Sequence, residues 1–594
     1  MEATQTRPAK SLRTDCQFHY HVAMSQPETH LFEVTLQVSG WQADVLDLKM
    51  PVWTPGSYLV REYSRLLQDF DVEDNLAWQK LGKNHWQIQT VGVSAVTVHY
   101  RMYANELTVR TNHLDATHGY FNGAAQFFFV PGFEHSPVQL TVVPPSPDWQ
   151  IATTLPMVAG QPNTFEAVDF DMLVDCPVEV GIHDRLEFEV LGKPHQYVIW
   201  GVGNYEQTRL LEDTRRIVEA EAALFGGLPY DRYLFLLHLS AQGFGGLEHK
   251  DCCTLNYSRF SFRATEKYNR FMQLVAHEFF HLWNVKRIRP AALEVFDYEG
   301  ENYTPSLWFS EGSTSFYDLA IPFRAGLYDA RAYLRGLSKE LSNFLAIPGR
   351  RVQPLSESSF DAWIKLYRRD ANSNNNQISY YLKGEMVSLL LDLLIRARHN
   401  NARSLDDVMR QMWQQFGRDE IGFTPDQLQQ VITSVADTDL RDFFHRCLHT
   451  TDDLPFDQYL APFGLQVKSE EVKDAPPILG MTVKTEHGRD VIKFVETGSP
   501  AQRAGIDAGD ELLAIAHLRV TADQLPERLK DYRPGDTVPL TFFHQDELRT
   551  VSVTLAAARP QVHQIGAIAQ PTVEQQHLFQ GWLGISLSEL PTSN

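Results

Sequence analysis

The sequence predicts a multidomain α+β protein. A β-sandwich covers residues 1–180, an α/β region that turns helical covers 181–465, a small β-rich module covers 466–560, and a tail covers 561–594. Three observations carry this reading. Early segments alternate polar and apolar residues with the period of a half-buried strand. From about residue 195 strand-like and helical runs alternate, and helical periodicity dominates beyond 325. The charged stretch "SEEVKDAPP" then reads as a linker to a second group of strands.

In "LFEVTLQV", Phe32, Val34, Leu36 and Val38 alternate with Glu33, Thr35 and Gln37; "AVTVHYRM" repeats the pattern at Val96, Val98 and Tyr100. Turn signals such as "TPGS" and "PPSP" recur at short intervals, as a sandwich requires. "QYVIWG" and "YLFLLHLS" read as strands on either side of the helix "EQTRLLEDTRRIVEAEAALFG", which ends near Gly226. "KYNRFMQLVAHEFFHLWN" reads as the next helix. "EMVSLLLDLLIRAR" is apolar nearly all round, the pattern of a buried helix, and the polar run "NSNNN" at 372–376 marks a loop ahead of it. In the C-terminal module "LGMTVK", "DVIKFV", "ELLAIA" and "VPLTFF" are strands between Gly-rich turns, and the tail carries one short apolar segment, "HLFQGWLG".

A chain of 594 residues is too long for one core. Its formal net charge of −21 repels phosphate backbones, which argues against nucleic acid, and mildly attracts cations such as a peptide amine. The five cysteines are odd in number and irregular in spacing, which fits reduced thiols. The first twenty residues hold no apolar run of a secretory signal, and no stretch of about 18 apolar residues occurs. The expectation is a cytoplasmic protein with no membrane partner.

The chemistry concentrates in "VAHEFFHLWNVKRIRP", residues 275–290. On a helix, residues i and i+4 share a face, so His277 and His281 can point at one ion while Glu278 reaches a water. Zinc held by two His and a carboxylate keeps an open position, and a neighbouring Glu can take the proton of an attacking water. The alternative is two ordinary histidines on a helix's inner face. Glu311 in "LWFSEGSTSFYD" lies beside Trp308 and Phe309, where lost hydration calls for a compensating metal; an exposed helix-start Glu is the other reading. In "FGGLEHKDCCTLNYS", Glu248 follows the Gly245-Gly246 pair, where backbone approaches a ligand closely; it binds an ammonium or sits solvated in a turn. Tyr380 and Tyr381 in "ISYYLKGEMVSLL" offer a phenol to an oxyanion, or pack in the core. Cys252 and Cys253 read as buried packing. "HLDATHGYFNG", with His113, Asp115 and His118, suggests a second metal site but reads first as a polar surface loop.

"HEFFHLW", "LWFSEG", "GGLEH" and "YLKG" are similar to segments of the gluzincin aminopeptidases, which have a thermolysin-like catalytic domain. More closely, "MPVWTPGSYLVREYS", "HLWNVKRIRP", "WFSEGSTSFY" and the terminal "QGWLG" resemble the glycyl aminopeptidase family, in which a β-rich domain precedes the peptidase and a PDZ domain follows it. The resemblance implies one Zn2+ per chain held by His277, His281 and Glu311, with Glu278 as general base and acid. It implies Tyr381 as oxyanion stabiliser, with Tyr380 the alternative, and Glu248 as the carboxylate that holds the substrate's α-ammonium. Two departures stand out: a longer gap from His281 to Glu311, filled by "VKRIRPAALEVFDYEGENYTPS", and no Asn after Glu248. "LGMTV", "ETGSPAQRAGIDAGDELLAI" and "YRPGDTVPLTF" resemble a PDZ domain, with Leu479, Gly480 and Met481 as the loop that captures a peptide C-terminus, unless the protein's own chain fills that groove. The expected activity is a zinc aminopeptidase removing small first residues such as Gly or Ala from peptides with a free N-terminus. A PDZ-assisted metalloendopeptidase and a non-catalytic peptide-binding scaffold are the rivals.

Overall fold

The computed structural model describes residues 16–470, 475–559 and 562–590. The leader reading of the first fifteen residues, the middle of the linker (471–474) and the last four residues of the tail lie outside the described residues. The chain divides into two compact units, Met1–Val218 with Leu228–Leu282 and Phe296–Asn302, and Glu219–Gly227 with Trp283–Val295 and Tyr303–Asn594.

In the first unit a six-stranded sheet runs in the order Thr164–Ala167, Val138–Val143, Gln17–Ala23, Leu31–Ser39, Ala95–Tyr103, Leu67–Val72. Its neighbours pair antiparallel except Gln17–Ala23 with Val138–Val143, which is parallel. A three-stranded sheet of Val45–Lys49, His85–Gln89 and Trp78–Gly82 accompanies it. The alternation foreseen in "LFEVTLQV" holds: Phe32, Val34, Leu36 and Val38 enter one core with Val98, Tyr100, Leu46, Leu48 and Trp86. Gln17–Ala23, Leu31–Ser39, Val45–Lys49, His85–Gln89, Ala95–Tyr103 and Val138–Val143 each bury every second side chain, so both sheets contribute to the same apolar mass, while Trp78–Gly82 is exposed along its length.

A five-stranded sheet follows, ordered Asp184–Val190, Lys193–Trp200, Tyr233–Ser240, Cys252–Ser258, Phe244–Glu248. The middle three strands are parallel and the last is an antiparallel edge. "YLFLLHLS" is a continuous apolar run because the strand is buried on both faces, as parallel strands are. The helix Thr265–Phe280 packs on the last two strands and carries its buried face through Phe271, Met272, Val275, Ala276 and Phe279. It ends four residues before the sequence suggested, where the amide of Leu282 bonds back to the carbonyl of Phe279 and tightens the last turn.

The second unit is mostly helical, around the buried helix Tyr380–Arg398, whose Ser388 and Asp392 are as inaccessible as its leucines. The polar run at 372–376 is a short helical turn, Ser373–Asn376, rather than an open loop. Asn375 donates to the carbonyl of Val495 and accepts from the amide of Thr497. The β-rich module has its own core of Leu479, Ile492, Leu512, Ile515, Leu540, Phe542 and Val553. Beyond it, Val562–Ala567 pairs antiparallel with Leu465–Glu470, and the helix Val573–Leu583 sets Trp582 against Tyr333 and Phe463. The apolar segment of the tail is thus a docked helix.

Candidate metal centre and catalytic site

His277 and Glu278 occupy the last turn of the helix Thr265–Phe280, and His281 caps it with helical backbone angles. The i, i+4 geometry does what the spacing demands: the two imidazoles lie 4.6 Å apart between ring centroids, at 85° to one another. His281 and Glu278 are buried and His277 is partly exposed. One ligand atom from each of His277, His281 and Glu311 lies within 4.8 Å of the other two. Two imidazoles and a carboxylate are the donors a borderline divalent ion such as zinc takes, so the residues present fit the metal.

Glu311 is delivered by an unusual piece of backbone. Trp308–Ser313 forms a π-helical turn that runs into the helix Thr314–Arg324. Such turns widen a helix by one residue and re-aim a side chain. Two features explain it locally. The buried amide of Asn284 donates to the carbonyls of Phe309 (3.0 Å) and Ser310 (3.2 Å) and to the hydroxyl of Thr314 (3.2 Å), satisfying groups that the wide turn leaves over. The turn also crosses the helix Tyr380–Arg398 at two glycines. A Cβ on Gly384 would sit 2.6 Å from the carbonyl of Trp308 and 2.9 Å from the Cα of Gly312. The "SEG" and "YLKG" glycines therefore let two helices touch backbone to backbone, beside Glu311 and Tyr381.

Tyr381 is partly exposed and its hydroxyl lies 3.1 Å from that of Tyr367. Burial, reinforced by the charge of Glu311, pushes its phenol well above the ordinary value, so it remains an O–H donor. Tyr380 stacks on it at 4.7 Å but is itself wholly buried.

On the other side of Glu278, the edge strand Phe244–Glu248 passes so close that a Cβ at Gly246 would overlap the Glu278 carboxylate. Gly245 has φ +144, and Arg110 donates to the carbonyl of Gly246 at 3.2 Å. Glu248 is buried, and it groups with Glu278 and His281 within 4.8 Å. Its Oε1 is sealed from solvent and has no hydrogen-bond partner among the described residues. Against it stands Gly56, third residue of the turn Thr54–Ser57, with φ +85; a Cβ there would be 2.7 Å from both carboxylate oxygens. "TPGS" has proline second and glycine third, the demand of a type II turn, and the glycine also makes room for the carboxylate. His249, the residue after Glu248, pairs with Asp175 at 3.2 Å.

Cys252 and Cys253 are buried packing as expected, and all five cysteines are unbridged. Burial, then the charge of Glu278, pushes the Cys253 thiol up, which suppresses a thiolate ligand. In the C-terminal module Leu479 is buried, and Gly480 has φ +70 with its carbonyl accepting from the amide of Glu496. Met481 begins the strand Met481–Glu486, the sheet's edge, whose outer side is unpaired among the described residues. No helix among the described residues is long and apolar enough to cross a membrane. Sequence reasoning passed over Asn284, Gly56, Gly312 and Gly384, although each lies inside a motif it quoted.

Residues 270–387 match the profile of the M61 glycyl aminopeptidases, residues 19–182 that of the M61 peptidase N-terminal domain, and residues 477–555 that of the PDZ domain. The crystal structure of an aminopeptidase N family protein from Idiomarina loihiensis is similar with a TM-score of 0.90 and 32% identity, over 96% of this chain and 100% of that one. An M1 zinc metallopeptidase from Deinococcus radiodurans (TM-score 0.46, 12% identity, 75% of this chain, 96% of that one) and yeast LTA4 hydrolase with bestatin (0.44, 12%, 76% and 71%) are more distant. Comparison with curated proteins finds no match. Fold, donor set and profiles together define a metallopeptidase with a C-terminal PDZ domain. The chain belongs to the M61 glycyl aminopeptidase family.

Proposed function

We propose that the protein is a zinc aminopeptidase that removes first residues, small ones such as Gly and Ala, from peptides with a free N-terminus. The observation that carries this is the Glu248 carboxylate, buried with an unpartnered oxygen and grouped with Glu278 and His281. A buried carboxylate is costly unless a cation meets it, and a substrate's α-ammonium is that cation. His277, His281 and Glu311 would hold one zinc at this site. When bound, the metal supplies Lewis acidity to a water and to the scissile carbonyl. Glu278 takes the proton of the attacking water and passes it to the departing amine. Tyr381, kept protonated, donates to the developing oxyanion. Glu248 fixes the distance from the N-terminus to the bond that breaks, which makes the cut exopeptidic. We also propose a cytoplasmic location, on the strength of the five unbridged thiols.

The test compares Ala-4-nitroanilide with its N-acetylated form. The free amine should be turned over and the blocked substrate spared. Glu248→Gln should lower kcat/KM for the free amine by about 10- to 100-fold, the worth of a charge-assisted hydrogen bond. Equal turnover of both substrates would favour an endopeptidase. The open edge of Met481–Glu486, onto which an extended peptide could add, is the observation on that side.

A further inference from the structure

The segment "HLDATH" is not a polar surface loop. His113–Leu114 and His118–Phe121 are antiparallel strands in register His113 to Tyr120, and His118 is fully buried. The rings of His113 and His118 lie 4.8 Å apart. Trp200 stacks on His118 at 3.7 Å and 18°, which fixes the ring in its plane. Asp115 is pinned in the intervening turn by the amides of Thr117 (2.7 Å) and His118 (3.2 Å) and by the Thr117 hydroxyl (2.6 Å).

What this assembly lacks is hydrogen bonds. Both ring nitrogens of His118, Nδ1 of His113, Nδ1 of His238 and Oε1 of Glu179 are sealed from solvent with no partner among the described residues. So many unsatisfied atoms in one place are exceptional in a folded protein. The spacings are also of one kind. His118 Nδ1 stands 3.9 Å from Asp115 Oδ1, and His113 Nε2 stands 3.9 Å from Asp115 Oδ2. That is too long for a hydrogen bond. It approaches the edge of about 3.3–3.5 Å that tetrahedral ligands describe around an ion at about 2.0–2.1 Å.

We propose that His113, Asp115 and His118 form a second metal site, distinct from His277, His281 and Glu311, for a borderline divalent ion such as zinc. One ligand atom from each residue lies within 4.8 Å of the others. The partly exposed Asp115 gives the ion a way in. Behind the site, Glu179 faces His118 Nε2 at 3.9 Å and accepts from His238 Nε2 at 2.9 Å. One Glu179 oxygen is thus committed to His238, and the other stands beyond hydrogen-bond reach of His118 Nε2. The site would staple the hairpin of residues 113–121 in place and raise the metal content of the chain to two.

The experiment strips full-length protein with a chelator, titrates it with Zn2+, and counts bound equivalents after desalting. Asp115→Asn is the informative variant, because the amide oxygen still accepts from Thr117 and the fold is spared. It should bind one equivalent fewer than the wild type, with Ala-4-nitroanilide turnover unchanged within about twofold. His113→Gln should behave likewise. His281→Ala should lose the other equivalent and keep this one, which separates the two sites whatever the hydrolytic activity proves to be. Equal metal content in wild type, Asp115→Asn and His113→Gln would overturn the proposal. So would loss of the ion in Glu179→Gln but not in Asp115→Asn, since that would put it among His118, Glu179 and His238, the inner group that also converges within 4.8 Å.

Discussion

Gly246 and Glu278 lie so close that a Cβ on the glycine would fall 2.1 Å from the Glu278 carboxylate. The edge strand Phe244–Glu248 thus limits where the Glu278 carboxylate can lie.

Gly246→Ala should therefore displace Glu278 without touching a metal ligand. The expected outcome is a fall in kcat of about 10²- to 10⁴-fold, the usual worth of a positioned acid–base group. Bound metal should be unchanged. Steady-state kinetics alongside metal analysis checks it; unchanged kcat would mean that the carboxylate has room the geometry denies.

Tyr381→Phe should lower kcat/KM by about 10²- to 10³-fold, the cost of an oxyanion donor, with little change in KM. Tyr380→Phe should leave kcat within a few-fold, because that ring is wholly buried. The reverse pattern would exchange the two roles.

Asn284→Ala removes the side chain that holds the wide turn bearing Glu311. Groups that orient a ligand are worth about 10- to 100-fold in metal affinity, so competition with a chelator should show a loss of that size at the hydrolytic site. Gly384→Ala should act in the same direction by forcing the π-helical turn off the helix Tyr380–Arg398. Wild-type affinity in both variants would mean that the turn holds itself.

How much of this was legible follows from what each signal depends on. The i, i+4 pair in the motif helix and the alternation in "LFEVTLQV" are local periodicities, and both carried through. Glu311 was found through likeness to a family, because thirty residues separate it from His281 and no spacing rule spans such a loop. The roles of Gly56 and Asn284 were invisible because the partners they meet lie far along the chain. His113 and His118 were misplaced for a related reason: "HLDATH" is polar in composition, and only the fold reveals that Trp200 covers it.

Stability should depend on pH through His195. Burial lowers its imidazole from 6.5 to about 4, and its Nε2 pairs with the hydroxyl of Tyr230 at 2.7 Å. The unfolded chain takes up a proton below 6.5 that the folded protein refuses until about 4. The contribution is thus full above 6.5 and is lost as pH falls towards 4, about 3 kcal/mol at most. The melting temperature of the wild type should drop more between pH 7 and pH 5 than that of His195→Gln. Equal drops would assign the acid sensitivity elsewhere.

His277, His281 and Glu311 should together grip a metal that hydrolysis needs. The most direct test is turnover of Ala-4-nitroanilide by chelator-stripped protein before and after zinc is returned. The expected outcome is no turnover in the stripped protein, recovery in the wild type, and no recovery in Glu311→Gln at the same zinc concentration. Full turnover by the stripped wild type, or full recovery in Glu311→Gln, would contradict it.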